Sequence, residues 1–440
     1  MREILSFLEK QTEHHTPNEI KRYLKILGIK IPSKKVILVT GTNGKGTTCA
    51  TLQTLLIAAG KNVGFFSSPH IIKINERIKH NGTDISDEDF SRIFSIIREK
   101  LADFRPSFFE YLTLIAAYYF YFEKPIDFAI FEIGLGGTLD ATNAIDHDIS
   151  VITRLGIEHE NILGKGLASI AENKLGIIRK NNSVFHTKFP EEISDIYSKY
   201  LTEKNARFFE APKLKYFVRK NSEYFSRKNS EHLLRKNPEH FSRKNSEHLP
   251  HENPEYFAKI NNRTYKLNLL GERAVENTSL AVEVFKYLIP NYEKYLPALQ
   301  NVEWPCRMEK IQYKNRDIFL SGDHNPQGIQ SLLEILKNFE FENIHFIVGI
   351  CSDKNSNRMI KMLSSVKNSH IYLTETPIKT LTTENYSEFA KSVAEFSSKN
   401  PIEALNQAAK KSSDNDLILV TGSLYLTGLV KSYLLRKQTP

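Results

Sequence analysis

Short apolar runs and amphipathic stretches alternate along the first half of the chain. The stretches 47–59 and 86–101 carry apolar residues at helical spacing, and Ser86 is a capping residue for the second. Between and around them lie four nearly continuous apolar runs: VILVT (36–40), NVGFFSS (62–68), DFAIFEIG (127–134) and DISVITR (148–154). Such runs are typical of strands buried on both faces of a parallel sheet. The alternation therefore predicts a doubly wound α/β domain.

A second α/β series begins at Val302. Its predicted strands are DIFLSG (317–322), IHFIVGI (344–350), HIYLTE (370–375) and DLILVTG (416–422). Helical spacing between them, as in 325–339, indicates a smaller Rossmann-like domain. The boundary is expected within PNYEKYLPALQNVEWP (290–305), which predicts domains 1–300 and 301–440.

Composition places the chain among soluble globular proteins, since 40% of its 440 residues are hydrophobic and 25% are charged. The apolar run 112–122 is too short to span a bilayer and is interpreted as a buried helix. No export signal is visible at the N-terminus. Three widely spaced cysteines do not suggest a disulfide framework, which favours the reducing cytoplasm.

The net charge of +9 raises the question of nucleic acid. Basic residues, however, are spread along the chain and mixed with acids, and no aromatic-basic stripe is visible in the sequence. We therefore expect no nucleic-acid partner, no membrane partner and a monomer.

Residues 219–258 are five copies of an eight-residue unit, beginning RKNSEYFS and RKNSEHLL. The unit is too short and too polar for a solenoid. Its recurring His232, His240 and His248 suggest a metal site, but no carboxylate or cysteine cluster at ligand spacing accompanies them. The repeat is interpreted as an insertion in an exposed surface loop, where added length is tolerated.

The stretch VILVTGTNGKGTT (36–48) joins a predicted strand to a predicted helix through three glycines and a lysine. Backbone N–H groups of such a turn and the positive end of the helix dipole bind phosphate. Lys45 would reach the β- and γ-phosphates of a nucleotide, and the Thr47 hydroxyl would bind Mg²⁺. Glu132 ends an apolar strand at the same predicted sheet edge, and its carboxylate is a second candidate ligand for Mg²⁺.

Motifs across residues 1–435 together resemble the folylpolyglutamate synthase/dihydrofolate synthase family, a branch of the Mur ligases. They are TGTNGKGTT, SSPHIIKINERI, FFEYLTLIAAYYF, EIGLGGTLDATN, GIEHENILGKGLASIAENKLGII, WPCRMEKI, GDHNP and TGSLYL. The resemblance implies an ATP-dependent ligase, with Mg²⁺ and a monovalent cation such as K⁺ as cofactors. It joins L-glutamate to dihydropteroate or a folate through an acyl phosphate.

The resemblance also implies roles for individual residues. The nucleotide site would comprise Gly41, Thr42, Asn43, Gly44, Lys45, Gly46, Thr47, Thr48, Asn277, Arg307, Asp323 and Asn325. Metal ligands would be Thr47, Glu132, His159 and Lys174, with Lys174 carbamylated. Ser68, Pro69, His70, Glu76 and Arg77 would bind the pterin substrate. Catalytic roles would fall to Lys45, His159, Lys174, Arg307 and His324.

Several positions depart from the family pattern. Thr138 stands where an arginine is usual, Arg273 and Ala274 replace His-Gln, and Cys306 occupies a glycine position. Ser321 replaces an acid, while Asp323 follows two residues later. Since residues i and i+2 of an extended segment face the same side, we expect Asp323 to replace that acid near the nucleotide.

Two other readings remain open from the sequence. One is a Mur-type ligase for a different acid, against which the SSPHIIKINERI loop argues. The other is a catalytically weak homologue that binds ATP or a folate as an interaction module. The complete set of candidate metal ligands argues against it.

Overall fold

The computed structural model of the protein describes residues 1–32, 35–220 and 254–438. These residues form two compact units, 1–214 with 274–303 and 215–273 with 304–440. The chain passes from the first unit to the second for the last time between residues 303 and 304, three residues after the predicted boundary between residues 300 and 301. Of the described residues, however, 215–220 and 254–273 group with the second unit rather than with the predicted domain 1–300. Most of the octapeptide repeat, residues 221–253, lies outside the described residues. The end of its last copy, residues 255–258, is part of a strand in which Tyr256 and Ala258 are buried, so the predicted surface loop does not extend over that end.

The first unit is built on an eight-stranded sheet in the order β4-β3-β2-β5-β1-β6-β7-β8. Its strands are β1 Val36–Thr40, β2 Val63–Phe66, β3 Ile78–His80, β4 Thr83–Asp84, β5 Phe128–Glu132, β6 Ile149–Ile152, β7 Ser183–His186 and β8 Arg207–Glu210. From β2 to β8 neighbouring strands are parallel, and β3 and β4 add an antiparallel edge. The predicted doubly wound α/β fold is confirmed.

Helices accompany this sheet: α1 Arg2–Glu9, α2 Pro17–Ile26, α3 Lys45–Ala58, α4 Asp87–Lys100, α5 Phe108–Tyr118, α6 Glu160–Leu163, α7 Gly166–Leu175, α8 Ser194–Lys204 and α9 Glu272–Leu288. Ser86 caps α4 as predicted, because its hydroxyl accepts the Asp89 N–H at 3.0 Å. The predicted buried helix over 112–122 is α5 together with the short π-helix Tyr119–Glu123 that follows it, at whose end Phe122 is exposed. The main core packs Leu38, Phe66 and Phe131 of the sheet against α5.

The second unit contains two sheets. Strands β9 Lys215–Arg219, β10 Glu255–Ile260 and β11 Arg263–Leu267 form a three-stranded antiparallel sheet in the order β11-β10-β9. The larger sheet has the order β12-β13-β17-β14-β15-β16. Its strands are β12 Arg307–Tyr313, β13 Arg316–Ser321, β14 Ile344–Val348, β15 Ser369–Thr374, β16 Ala394–Ser398 and β17 Leu417–Thr421.

The larger sheet is parallel except for β12, which pairs antiparallel with β13. Its helices are α10 Pro326–Leu336, α11 Ser356–Ser364, α12 Glu388–Val393, α13 Pro401–Lys411 and α14 Leu424–Gln438. This agrees with the predicted Rossmann-like second domain. In the described part of the chain, no helix combines the length and the hydrophobicity needed to cross a bilayer.

Candidate active site

Two glycines of the loop between β1 and α3 combine a positive φ with no room for a Cβ atom. Gly41 has φ +144°, and a Cβ there would lie 1.9 Å from Thr153 Oγ1. Gly44 caps α3 with φ +99°, and its Cβ would lie 2.3 Å from Asn277 Oδ1. Both positions therefore require glycine for backbone conformation and for space. The loop places the N-terminus of a fourteen-residue helix, a site that favours anions, at the carboxyl edge of β1.

Lys45 folds back over the loop that precedes it. Its ammonium group donates to the carbonyl oxygens of Gly41 at 2.8 Å and Thr42 at 3.4 Å. The N–H of Thr42 donates to the carbonyl of Arg154 at 2.9 Å, which ties the loop to the segment after β6. The positive charge of Lys45 thus lies directly over the predicted phosphate-binding turn.

Two threonines of the first turn of α3 are buried. The Thr47 hydroxyl donates to the Gly44 carbonyl at 2.9 Å and accepts from Asn277 Nδ2 at 2.7 Å. Its orientation is therefore fixed from both sides, with one lone pair left for a ligand. Within the described chain, the buried Thr48 hydroxyl has no hydrogen-bond partner. Gly46 has no side chain at the start of this turn.

Lys174, on α7, is almost completely buried, with 1% of its side chain exposed. Its ammonium group donates to the Gly41 carbonyl at 2.9 Å and to Glu158 Oε1 at 3.0 Å. Burial and the nearby Lys45 charge lower the pKa of Lys174 to about 8, against the opposing effect of Glu158. Burial tends to raise the pKa of Glu158, but Lys45 and Lys174 outweigh it and hold that pKa low.

Glu158 was not predicted from the sequence as a site residue. The sequence suggested the neighbouring His159 as a metal ligand, whereas in the structure Glu158 makes the direct contact with Lys174. His159 itself is exposed and caps the short helix α6 with φ +49°. An acid immediately before a candidate histidine ligand was the available signal in GIEHEN.

Glu132 lies at the end of β5, paired in register with Val39 of β1. Its carboxylate is 3% exposed and accepts the Ser68 N–H at 3.1 Å. Burial and, next, the negative charge of Glu132 raise the pKa of the Cys49 thiol on α3, which shows that Glu132 acts on the loop helix. Among the described residues, no three histidine, cysteine, aspartate or glutamate side chains are grouped as a metal site.

The donor set nevertheless fits a nucleotide-bound Mg²⁺. That ion takes only one or two oxygen ligands from protein and the others from phosphate and water. The Thr47 hydroxyl and the Glu132 carboxylate are hard oxygen donors at the same edge of the sheet. The predicted ligand roles of all four residues, Thr47, Glu132, His159 and Lys174, stay predictions.

The predicted substrate loop is held by its own charged residues. Glu76 accepts the backbone N–H groups of Ile71 at 2.7 Å, Ile72 at 2.9 Å and Lys73 at 2.8 Å. Its carboxylate therefore shapes the loop from inside, a task that the sequence did not reveal. Ser68 and Pro69, at the start of the loop, are joined by a cis peptide bond.

Arg77 and His70 hold the other side of this loop. Arg77 Nε donates to His70 Nδ1 at 2.9 Å, and its guanidinium group lies over the ring of Phe108 at 5.5 Å. Burial and then the Arg77 charge lower the pKa of His70 to about 4, against the effect of Glu76. His70 is therefore a neutral imidazole at neutral pH, so any substrate contact it makes is uncharged.

In the second unit, the candidate residues lie around the end of β13 and the start of α10. The Ser321 hydroxyl donates to Asp323 Oδ2 at 2.6 Å, so the two side chains do face the same side. Asn325 caps α10 by accepting the Gly328 N–H at 2.7 Å. His324 Nδ1 lies 3.0 Å from the Gly322 carbonyl oxygen. Burial and the charges of Arg307 and Lys354 lower the pKa of His324, opposed by that contact and by Asp323.

Two of the departures from the family pattern have a structural account. Cys306 has φ +55°, the left-handed region that favours glycine, and its thiol is buried. Thr138 donates from its hydroxyl to the Asn173 carbonyl at 2.8 Å, next to Lys174 in sequence. It therefore ties the loop after β5 to α7, a contact that needs no arginine. Nothing in the structure explains Arg273.

A glycine-rich phosphate loop after a parallel strand, with a buried lysine and carboxylate beside it, is typical of a nucleotide-binding site, and similarity to known proteins assigns it to an ATP-dependent ligase of the Mur ligase type. The family model for the Mur ligase, glutamate ligase domain matches residues 306–424. The dihydrofolate synthase/folylpolyglutamate synthase of Bacillus subtilis (strain 168) is 30% identical over 423 residues, covering 92% of this chain and 91% of that protein. The chain belongs to the dihydrofolate synthase/folylpolyglutamate synthase family.

Solved structures agree with this assignment. Folylpolyglutamate synthase from Thermotoga maritima is 25% identical with a TM-score of 0.78, covering 100% of this chain and 97% of that chain. A bifunctional folylpolyglutamate synthase/dihydrofolate synthase is also 25% identical, with a TM-score of 0.77, covering 98% and 97%. That structure holds Mn, AMPPNP and L-glutamate.

Proposed function

We propose that the protein uses ATP to join L-glutamate to dihydropteroate, to folates, or to both. A carboxylate oxygen of the acid attacks the γ-phosphorus of ATP, and ADP leaves. The glutamate nitrogen then attacks the acyl carbon of the acyl phosphate, loses a proton, and phosphate leaves as the amide forms. The observation that carries the proposal is the contact between Lys174 and the Gly41 carbonyl, which joins the candidate metal site to the phosphate loop.

The phosphate loop supplies positive charge where phosphoryl transfer needs it. Lys45 and the N-terminus of α3 stabilise charge on the transferring phosphoryl group. Asn277 orients the Thr47 hydroxyl through its hydrogen bond at 2.7 Å. Thr47 and Glu132 would hold Mg²⁺, which neutralises phosphate charge when bound; K⁺ is a further proposed cofactor.

Lys174 is proposed to act as a carbamate rather than as an ammonium group. Its pKa of about 8 leaves a fraction of neutral amine at neutral pH, and only the neutral amine attacks CO₂. The nitrogen forms a bond to the carbon of CO₂ and releases a proton, which gives an anionic oxygen donor. Glu158, its present partner at 3.0 Å, then faces an anion, so its contact with Lys174 must be rearranged. Mass spectrometry of the intact protein with and without bicarbonate, compared with Lys174→Met, tests this step.

The acid substrate is assigned to the loop from Ser68 to Arg77, near Glu132. In the second unit, Arg307, Asp323, His324 and Asn325 are assigned to ATP and the acyl phosphate. A neutral His324 can donate one hydrogen bond and accept one, whereas the Arg307 guanidinium provides a permanent charge. Because the ligase reaction uses only small molecules, it requires no nucleic acid, no membrane and no second subunit. We propose a monomer in the cytoplasm, and the three free, buried cysteines fit that reducing compartment.

The test is glutamate-dependent release of ADP in the presence of Mg²⁺ and ATP. Dihydropteroate and a reduced folate are offered separately, because the two activities differ only in the acid that accepts glutamate. Activity with either acid, absent in Lys45→Ala, is the expected result. No ADP release with either acid would overturn the proposal and leave a Mur-type ligase for another acid, or a nucleotide-binding homologue.

A further inference from the structure

The two faces of the small sheet of the second unit differ in burial, although Tyr216 on edge strand β9 is exposed on the otherwise more buried face. Side chains alternate along its central strand β10, so that Tyr256, Ala258 and Ile260 are buried while Lys259 is exposed. The exposed side, here called the aromatic-basic face, consists of Lys215, Phe217, Arg219, Glu255, Phe257, Lys259, Thr264 and Lys266. Register pairs bring these residues together from segments that are far apart in the sequence.

Two phenylalanine rings occupy the middle of this face. Phe217 and Phe257 are direct register partners, and their rings stack at 5.0 Å between centroids with 10° between planes. Phe217 is 49% exposed and belongs to β9, one of the two edge strands of the sheet. Its outward ring face is an aromatic platform to which a flat ligand could add.

Cations surround this ring pair. Lys215 and Lys259 are directly opposite each other in the register, and within the described residues neither has a carboxylate partner. Like charges directly opposite on a sheet are destabilising, so an anion between them would relieve repulsion. The one carboxylate of the face, Glu255, is shared by Arg219 at 3.3 Å and Lys266 at 2.6 Å. Four cations against one acid leave the face positive.

We propose that the aromatic-basic face binds single-stranded nucleic acid, with RNA as the representative partner. An exposed aromatic ring on a sheet stacks a base, and flanking lysines and arginines neutralise the phosphates. An acidic peptide would meet the charges but offer no flat ring to Phe217. A duplex has its bases already stacked within the helix, so it too would leave the platform unused. The absence of an aromatic-basic stripe in the sequence reflects the insertion, which separates β9 from β10.

The experiment measures fluorescence anisotropy of a labelled ten-nucleotide oligouridine with the full-length protein at several salt concentrations. Phe217→Ala should weaken binding about tenfold, and Phe217→Tyr should retain it, because stacking needs the ring and not its edge. The double variant Lys215→Gln/Lys259→Gln should reduce the slope of log affinity against log salt by about 1.4, for two lost phosphate contacts. Lys100→Gln/Lys199→Gln, exposed helix positions in the first unit, removes the same charge and should leave binding nearly unchanged.

Competition separates the possible ligands. Oligouridine should displace the probe, while a duplex of equal length and poly-L-glutamate should do so poorly. Equal competition by poly-L-glutamate, or equal weakening by the two lysine pairs, would overturn the proposal, as would the absence of binding by the unaltered protein. All four variants should keep the ligase activity of the unaltered protein. Retained ligase activity shows that each variant is folded. Because ligation and nucleic-acid binding are measured separately, a failure of the proposed ligase function can be distinguished from a failure of the proposed nucleic-acid binding.

Discussion

The ammonium group of Lys174 lies 2.9 Å from the carbonyl oxygen of Gly41, although the two residues are 133 positions apart in the chain. The same ammonium group reaches Glu158, and the Lys45 ammonium group reaches the same Gly41 carbonyl at 2.8 Å. Two cations thus converge on one oxygen of the phosphate loop. Because both are fixed by that oxygen and one is buried, the charge state of Lys174 affects both the loop and the stability of the fold.

A pH dependence of stability follows from the lowered pKa of Lys174. The folded pKa of about 8 lies below the ordinary value of 10.5, so between these values the unfolded chain holds a proton that the folded chain has released. The free energy of unfolding should therefore rise with pH over this interval, by about 3 kcal/mol at most. Below about pH 8 the folded protein bears the full cost of burying the charged Lys174 ammonium group. Chemical denaturation of wild type and Lys174→Met at several pH values measures the difference.

The control is Lys199→Met, which removes an exposed lysine from α8. It should follow the wild-type pH profile, whereas Lys174→Met should show a flatter one. Parallel profiles for all three proteins would mean that burial does not lower the proton affinity of Lys174.

Thr47 and Asn277 should behave as one functional group. Asn277→Ala leaves the Thr47 hydroxyl without its donor and should lower kcat/KM for ATP about 10- to 100-fold, as expected when a residue that orients a metal ligand is lost. Thr47→Val should lower it further, and Thr47→Ser should retain most of it. Steady-state kinetics of the single and double variants measures the coupling. If the two losses simply add, Asn277 acts independently of Thr47.

Glu76 should affect the acid substrate through the loop rather than through a direct contact. Glu76→Gln weakens three charge-assisted hydrogen bonds to backbone N–H groups, so the loop from Ser68 to Arg77 should lose its shape. KM for the acid should rise about tenfold, with KM for ATP unchanged. Glu88→Gln, an exposed acid in the first turn of α4, is the matched control. An equal rise for both substrates would contradict a role confined to this loop.

Asp323 should contribute to ATP affinity more than Ser321. Asp323→Asn removes the charge proposed to replace the missing acid, while Ser321→Ala removes only the donor at 2.6 Å. We expect Asp323→Asn to lower ATP affinity about tenfold and Ser321→Ala to lower it about twofold, in line with the greater strength of charge-assisted hydrogen bonds. Isothermal titration with a non-hydrolysable ATP analogue measures both. Unchanged affinity in Asp323→Asn would end the idea of a relocated acid.

Local signals predicted the parts of the fold that depend on local causes. The strand, glycine loop and helix from Val36 to Ala58 follow from an apolar run, from glycines that permit φ above zero, and from helical periodicity, all within about twenty residues. The cap at Ser86 is local in the same sense. The helix α3 begins at Lys45, two residues before the predicted start, because the cap at Gly44 has no side chain to mark it.

Contacts between segments that are far apart in the sequence could not be predicted from these local sequence patterns. Glu76 resembles a substrate-binding acid in SSPHIIKINERI, and only the folded loop shows that three backbone N–H groups occupy it. Glu158, in the loop before α6, gains its importance from Lys174, sixteen positions away on α7. The grouping of residues 215–220 and 254–273 with the second unit depends on contacts between distant segments, such as the pairing of β9 with β10, which are separated in the sequence by residues 220–254 of the repeat.

The repeat itself should be dispensable for ligation, because it leaves and rejoins the fold at one register pair. Arg219 and Glu255 are opposite each other at the ends of β9 and β10. Replacing residues 220–254 with Asn-Gly would close these strands with a two-residue turn, whose backbone twist matches that of an antiparallel pair. We expect kcat and both KM values to change less than about twofold, and stability to stay equal or rise slightly because a long connection is shortened. A Gly-Ser segment of the original length, in place of residues 221–253, is the control for loop length. Loss of activity in both variants would show that the repeat takes part in the reaction, whereas loss in the short variant alone would show that ligation needs the length of the connection.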